Sequence, residues 1–204
     1  SLFPLSIMKG FIIYSDYITI ENEDYVRLFG RLENGQSFLT INKFSPYFYI
    51  KKRDIKKLPE EYKTQNTDLK SFEGEEVLKV SFKNKTDLNN LYKELHKEIS
   101  IYEADIKPQN KFLIEKDILT NIEIDGNYES SERIDRIYKE PKIHSTTLKP
   151  KLKIVSIDTE SDKKTGKLFC IGILSENYKK NFMIASQTLK DTISCKSESD
   201  CLEK

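Results

Sequence analysis

The run Ile154-Val-Ser-Ile-Asp-Thr-Glu160 constrains this chain more than any other stretch. It is apolar and rich in β-branched residues, and it ends in two carboxylates spaced i, i+2. Strand side chains alternate with period two, so the run reads as a buried strand that delivers Asp158 and Glu160 to one face of a sheet. Two oxygen donors on one face are the beginning of a divalent-metal site. The same spacing also suits a strand that ends in a solvated turn. A second apolar run, Lys167-Leu-Phe-Cys-Ile-Gly-Ile173, follows a short charged gap, as a neighbouring strand would.

A chain of 204 residues can hold one large domain or two small ones and bury a core. Its 34 basic and 33 acidic residues nearly cancel, so any nucleic-acid contact has to rest on a local patch and not on overall charge. No apolar run approaches the roughly 18 residues of a membrane span, and no membrane partner is expected. Cys170, Cys195 and Cys201 form no C-x-x-C pair, and His96 and His144 stand far apart, a pattern unlike zinc or disulfide frameworks. Residues 1–10 lack the basic region and continuous apolar core of a signal peptide, which points to the cytoplasm. Ser197–Lys204 reads as the opening of a helix without a stop signal, so the expectation is a fragment of something longer.

From Phe11 to Ile50 short β-rich runs alternate with turn chemistry. Strands are expected at Phe11–Ile20, Tyr25–Leu32, Ser37–Asn42 and Tyr47–Lys51, with Asn34-Gly35 closing a tight hairpin. A short helix over Ile55–Lys63 and strands at Asp68–Phe72 and Val77–Phe82 follow. After Asn84, Leu88, Leu91, Tyr92, Leu95 and Ile99 recur at the spacing of one buried helix face, with Thr86 as N-cap. With a strand over Ile99–Ile106 this makes a strand-helix-strand unit like half of a ferredoxin-like fold. Pro108 opens another helix through Lys116. Gly126 to Pro150 has no sustained apolar period beyond a helical turn at Ile134–Tyr138, and reads as linker. Beyond it, Ile154–Glu160, Leu168–Leu174 and Asn181–Ala185 suit the antiparallel start of a ribonuclease-H-like sheet.

The acid-bearing run, with Gly166, Leu168, Phe169, Cys170, Ile171 and Gly172, resembles the first exonuclease motif of family-B DNA polymerases. Asp16-Tyr17-Ile18-Thr19, Val26-Arg27-Leu28-Phe29, Glu33-Asn34-Gly35, Phe44–Tyr49, and Tyr102–Ile106 with Phe112-Leu113-Ile114 resemble landmarks of the N-terminal domain in archaeal members. Tyr102-Glu-Ala-Asp105, Val155–Asp158 and Leu168–Gly172 look closer to the DNA polymerase II branch. Thr159 departs from the aliphatic residue usual between the two acids, on the side facing away from the metal face.

The resemblance implies an α+β chain in two parts. Residues 1–147 would be the β-rich N-terminal domain and residues 148–204 the first strands of a 3′–5′ proofreading exonuclease. Asp158 and Glu160 would be catalytic residues and ligands of two Mg2+ or Mn2+ ions, completed by acids beyond Lys204. DNA would be the partner, as single-stranded template and primer 3′ end, at the nucleoid within the cytoplasm, in replication or repair. Regions beyond the chain would carry any sliding-clamp contact. The fragment alone is expected to be inactive. Tyr17, Pro46, Tyr47, Val77, Ile106 and Lys111 stand where archaeal relatives form a pocket for template uracil. Pro108 replaces a usual aromatic there and Lys111 an arginine, losing the bidentate fork. The expected outcome is weak, salt-sensitive single-strand binding with little preference for uracil. Two other readings stay open: a different ribonuclease-H-like nuclease, and a non-catalytic single-stranded nucleic-acid-binding module with structural carboxylates.

Overall fold

The computed structural model describes residues 7–186 and 190–203, which divide into two units, residues 1–150 and 151–204. In the first unit β1 (Met8–Ile20), β2 (Glu23–Leu32) and β3 (Ser37–Lys43) form an antiparallel meander. Along β2 the residues Asp24, Val26, Leu28, Gly30 and Leu32 are buried and those between them are not, the period of a half-covered strand. The Asn34-Gly35 turn closes β2 onto β3 as expected. Gly35 has φ +87, where a side chain would be strained, and its N–H donates to the Leu32 carbonyl at 2.8 Å. At Gly30 a Cβ would lie 2.0 Å from the Phe11 carbonyl oxygen and 2.6 Å from the Phe38 ring, so the missing side chain makes room for Phe38 in the core.

The sheet is completed by β8 (Asn121–Asp125), β9 (Tyr128–Glu129), β10 (Arg136–Lys139) and β11 (Lys142–Ser145) in the order β11-β8-β1-β2-β3-β10-β9. These strands overturn the reading of Gly126–Pro150 as linker, and the helical turn expected at Ile134–Tyr138 is the parallel partner of β3. The fully buried Tyr138 stacks obliquely on Tyr128 at 5.7 Å, and an edge nearly a hundred residues away supplies the strand with its partner. Such long-range pairing overrides local pattern. Residues 146–154 carry no regular structure.

The second sheet has the order β5-β6-β4-β7, with β4 (Tyr47–Lys51), β5 (Lys63–Lys70), β6 (Glu76–Ser81) and β7 (Ile101–Tyr102). Because β4 is antiparallel to both β6 and β7, those two run parallel on either side of it. Helix α1 (Lys85–Leu95) makes the crossover, which is the split strand-helix-strand unit read from the sequence. Its cap is Asn84 and not Thr86: the Asn84 side chain accepts from the Asp87 N–H at 2.9 Å. Leu88, Leu91 and Leu95 form the buried face, while Tyr92 and His96 stack on each other in solvent.

Three boundaries differ from expectation. The helix placed over Ile55–Lys63 is a 3-10 turn over Lys52–Lys57, because Leu58 is held extended before Pro59. The strand placed at Asp68–Phe72 lies earlier, and Ser71–Glu75 is a turn with Gly74 at φ +84. The strand over Ile99–Ile106 shortens to two residues before Glu103, at φ +61, turns the chain toward α2 (Pro108–Glu115). β4 divides two cores. Tyr47 packs with Phe44, Phe112 and the first sheet, whereas Phe48 and Ile50 pack with Leu78, Val80 and α1.

In the second unit β12 (Val155–Ser161), β13 (Leu168–Ser175) and β14 (Tyr178–Ile184) are antiparallel, and β15 (Thr192–Cys195) joins β14 in parallel. The six-residue α3 (Glu198–Glu203) places Cys201 against Ile171, Phe182 and Cys195. The third strand, which the sequence places at Asn181–Ala185, begins earlier, at Tyr178, and ends at Ile184. β12 is not the buried strand its composition suggests. It lies at the sheet edge and is exposed along its whole length, Ile157 at 65%.

Candidate nucleic-acid interface and carboxylate pair

Asp158 and Glu160 sit opposite Gly172 and Cys170 of β13, and alternation carries both acids to the same face. Thr159, opposite Ile171, falls on the other face, the one that bears the small core. Across the acid face the next strand offers Asn181 and Met183. A Cβ at Gly172 would come within 3.4 Å of the Asn181 side-chain oxygen, so the glycine keeps the floor between the acid strand and Asn181 low. Asp158 accepts the Thr159 N–H at 3.0 Å on one of its oxygens. Both acids are solvent-exposed. Among the described residues no three or more His, Cys, Asp or Glu side chains are grouped to hold a metal ion. The pair is therefore two hard oxygen donors on one strand, chemically suited to Mg2+ or Mn2+ but short of the six ligands such an ion takes.

The residues matched to the uracil pocket fall in different places. Tyr17 is in β1, opposite Val26, and leans on the first core. Pro46 is buried ahead of β4, and its carbonyl accepts the Phe82 N–H at 2.8 Å. Tyr47, 4% exposed, is the centre of a cluster with Lys111. The Lys111 ammonium donates to the Tyr47 carbonyl at 2.7 Å, lies 3.8 Å from the centroid of the Tyr47 ring and pairs with Glu103 at 3.4 Å. Ile106 is half-buried, and its carbonyl accepts from Lys85. Val77 is buried opposite Lys51, whereas Ser81 is the residue of β6 opposite Tyr47. Val77 and Ser81 are four steps apart along the strand, about 13 Å. Tyr47 and Lys111 are thus brought together and Val77 is not joined to them.

Burial pushes the Lys111 ammonium down to about 8, with Lys85 and Lys79 adding to the fall and Glu103 opposing it. Burial likewise pushes the Tyr47 phenol far up, helped by Glu115 and Tyr49. A second ammonium, Lys79, lies 3.7 Å from the Tyr47 centroid and pairs with Glu115 at 2.8 Å. Lys79 and Tyr49 were not singled out from the sequence. Period two on β4 and β6 could have found them, since Tyr47 and Tyr49 share a face and Lys79 is opposite Tyr49.

No family-level profile matches the chain. DNA polymerase II of Escherichia coli K12 is 30% identical over 107 residues, which are 52% of this chain and 13% of that protein. The family-B DNA polymerase of the archaeon Pyrobaculum calidifontis superimposes with a TM-score of 0.67 over 90% of this chain and 28% of its own, at 17% identity. The second likeness shows the fold and the first extends it to sequence, so the resemblance to family-B DNA polymerases stands on both. The chain spans less than a third of either relative's length.

Proposed function

We propose that this chain is part of a DNA-directed DNA polymerase of family B, with its first unit on single-stranded template and its second carrying the first acids of a 3′–5′ exonuclease. The observation that carries the reading is the agreement of two independent likenesses, one in sequence and one in fold, on the same kind of enzyme. Asp158 and Glu160 support the exonuclease part, since alternation puts both acids on the face away from the core. They would supply two ligands toward Mg2+ or Mn2+, and further acids of the parent chain the rest. A metal bound there would activate water and stabilise the departing 3′ oxygen. Until then Asp158 and Glu160 stand in solvent, and residues 1–204 alone neither degrade nor extend DNA. Replication or repair in the cytoplasm, at the nucleoid, fits this reading.

The test uses a labelled single strand and a primed template with magnesium. The parent chain should extend the primer and trim the single strand, and Asp158→Ala should abolish trimming while leaving extension largely intact. Trimming by residues 1–204 alone, lost in Asp158→Ala, would overturn the proposal in favour of a small complete nuclease.

A further inference from the structure

A cleft of about 420 Å³ opens on the second sheet, lined by Tyr49, Tyr102, Val77, Leu69 and Phe72. Its volume falls within the roughly 300–1,000 Å³ of small-molecule sites. Tyr49 and Tyr102 are direct partners across β4 and β7, so their rings share one wall. Phe72 is fully exposed, at 102%, and belongs to none of the three cores. An aromatic ring held wholly in water contributes nothing to folding.

The turn that carries Phe72 is preformed. Ser71 N–H donates to the Glu75 carbonyl at 2.8 Å, Gly74 N–H to the Ser71 carbonyl at 2.9 Å, and the Ser71 hydroxyl to Glu73 at 2.8 Å. Glu73 in turn accepts the Tyr102 hydroxyl at 3.3 Å, which ties the turn to the tyrosine wall. On the other rim Glu103 holds φ +61, a conformation costly for a residue with a side chain. At the rim Glu103 pairs with Lys111 at 3.4 Å and Lys51 with Glu73 and Glu75, while Lys70 lines the cleft opposite Glu76 of β6. The occupant that suits a largely apolar cleft walled by rings, with a lysine at its rim, is flat and aromatic.

We infer that this cleft binds one unpaired nucleobase, stacked on Phe72 and the Tyr49–Tyr102 wall with its phosphates left outside. The inference rests on the family-B reading, which supplies the single strand. The cleft adjoins the Tyr47–Lys111 cluster without including it: Tyr49 and Glu103 line the cleft, Tyr49 packs edge-on against Tyr47 at 5.4 Å and Glu103 pairs with Lys111, while Tyr47 and Lys111 lie outside the lining. Stacking on aromatic side chains tolerates every base, so little preference among bases is expected.

The probe is a ten-nucleotide single strand with 2-aminopurine at its centre, whose fluorescence is quenched on stacking, titrated with residues 1–204. Quenching is expected, with competition by the neutral nucleoside adenosine. Phe72→Ala should weaken binding by roughly fivefold to a hundredfold, the range of one lost stack, without changing the circular dichroism. Phe72→Trp should restore it. Binding by Phe72→Ala equal to the parent's, no binding at all, or binding that salt abolishes and adenosine leaves untouched would each overturn the inference. Primer extension by the parent chain separates the two claims. Extension with an empty cleft defeats the cleft alone, and a parent chain that neither extends nor trims defeats the family reading.

Discussion

Replacing Lys111 by methionine tests the buried cluster directly. In the folded chain the ammonium sits at about 8 against its ordinary 10.5, with burial as the main cause. Below pH 8 the group is charged in both states, and folding bears the full cost of burying it. Between about 8 and 10.5 the folded chain has released the proton that the unfolded chain still holds, so stability rises with pH across that window. The whole shift sets a ceiling of about 3 kcal/mol. Lys85, also lowered by burial, adds in the same direction. At the upper end the tyrosines oppose the rise. Burial raises Tyr47, Tyr49 and Tyr138, so above about pH 10 the unfolded chain loses phenolic protons that the folded chain keeps, and stability falls. Urea unfolding followed by circular dichroism at half-unit steps from pH 7 to 10 should show this climb in the parent and a flatter line in Lys111→Met. Equal slopes in the two proteins, or stability that declines between pH 8 and 9.5, would refute the buried-ammonium account.

Asp24 is wholly buried and accepts the Lys85 N–H at 2.8 Å and the Thr19 hydroxyl at 2.7 Å, so Asp24→Ala should cost about 2–4 kcal/mol in urea unfolding. Gly30→Ala should cost about 3 kcal/mol or more, since the new methyl meets a backbone carbonyl that cannot swing away, while Gly35→Asn should cost under about 1 kcal/mol in the same assay. Limited proteolysis should cut first within residues 146–154, which carry no regular structure, with Arg136 and Lys139 protected beside β3; first cuts at those two would show that β10 is not held.

The parts of the fold legible in the sequence are those whose cause is local. Asn34-Gly35 specifies its hairpin because Gly35 takes a left-handed conformation without steric cost where the turn closes on the Leu32 carbonyl, and Leu88, Leu91 and Leu95 specify a helix face by spacing alone. β10 is not legible because its partner β3 lies nearly a hundred residues away, and β9 and β11 are too short, at two and four residues, to show an apolar period. β5 was misplaced because its residues are nearly all exposed and carry no apolar period. For the site, alternation puts Asp158 and Glu160 on one face without knowledge of the fold. The openness of their strand has no sequence signal, since Val155 and Ile157 look like core residues yet stand at an edge. The burial of Lys111 was hidden too, because a lysine's sequence neighbours do not reveal that a distant carbonyl will bind its ammonium.

The seven-stranded sheet also sets a timetable for synthesis. β1, β2 and β3 leave the ribosome together, but their flanking partners β8 and β10 lie on the far side of the ferredoxin-like unit. Roughly 80 residues separate the end of β3 from the start of β8, a delay of about 4–16 s at ordinary translation rates. Through that interval both edges of the nascent meander stand unpaired, and the inserted unit can complete its own sheet first. Slowing translation after Lys43 should therefore raise aggregation, whereas slowing it after Ser145, once every strand of the sheet has been made, should not.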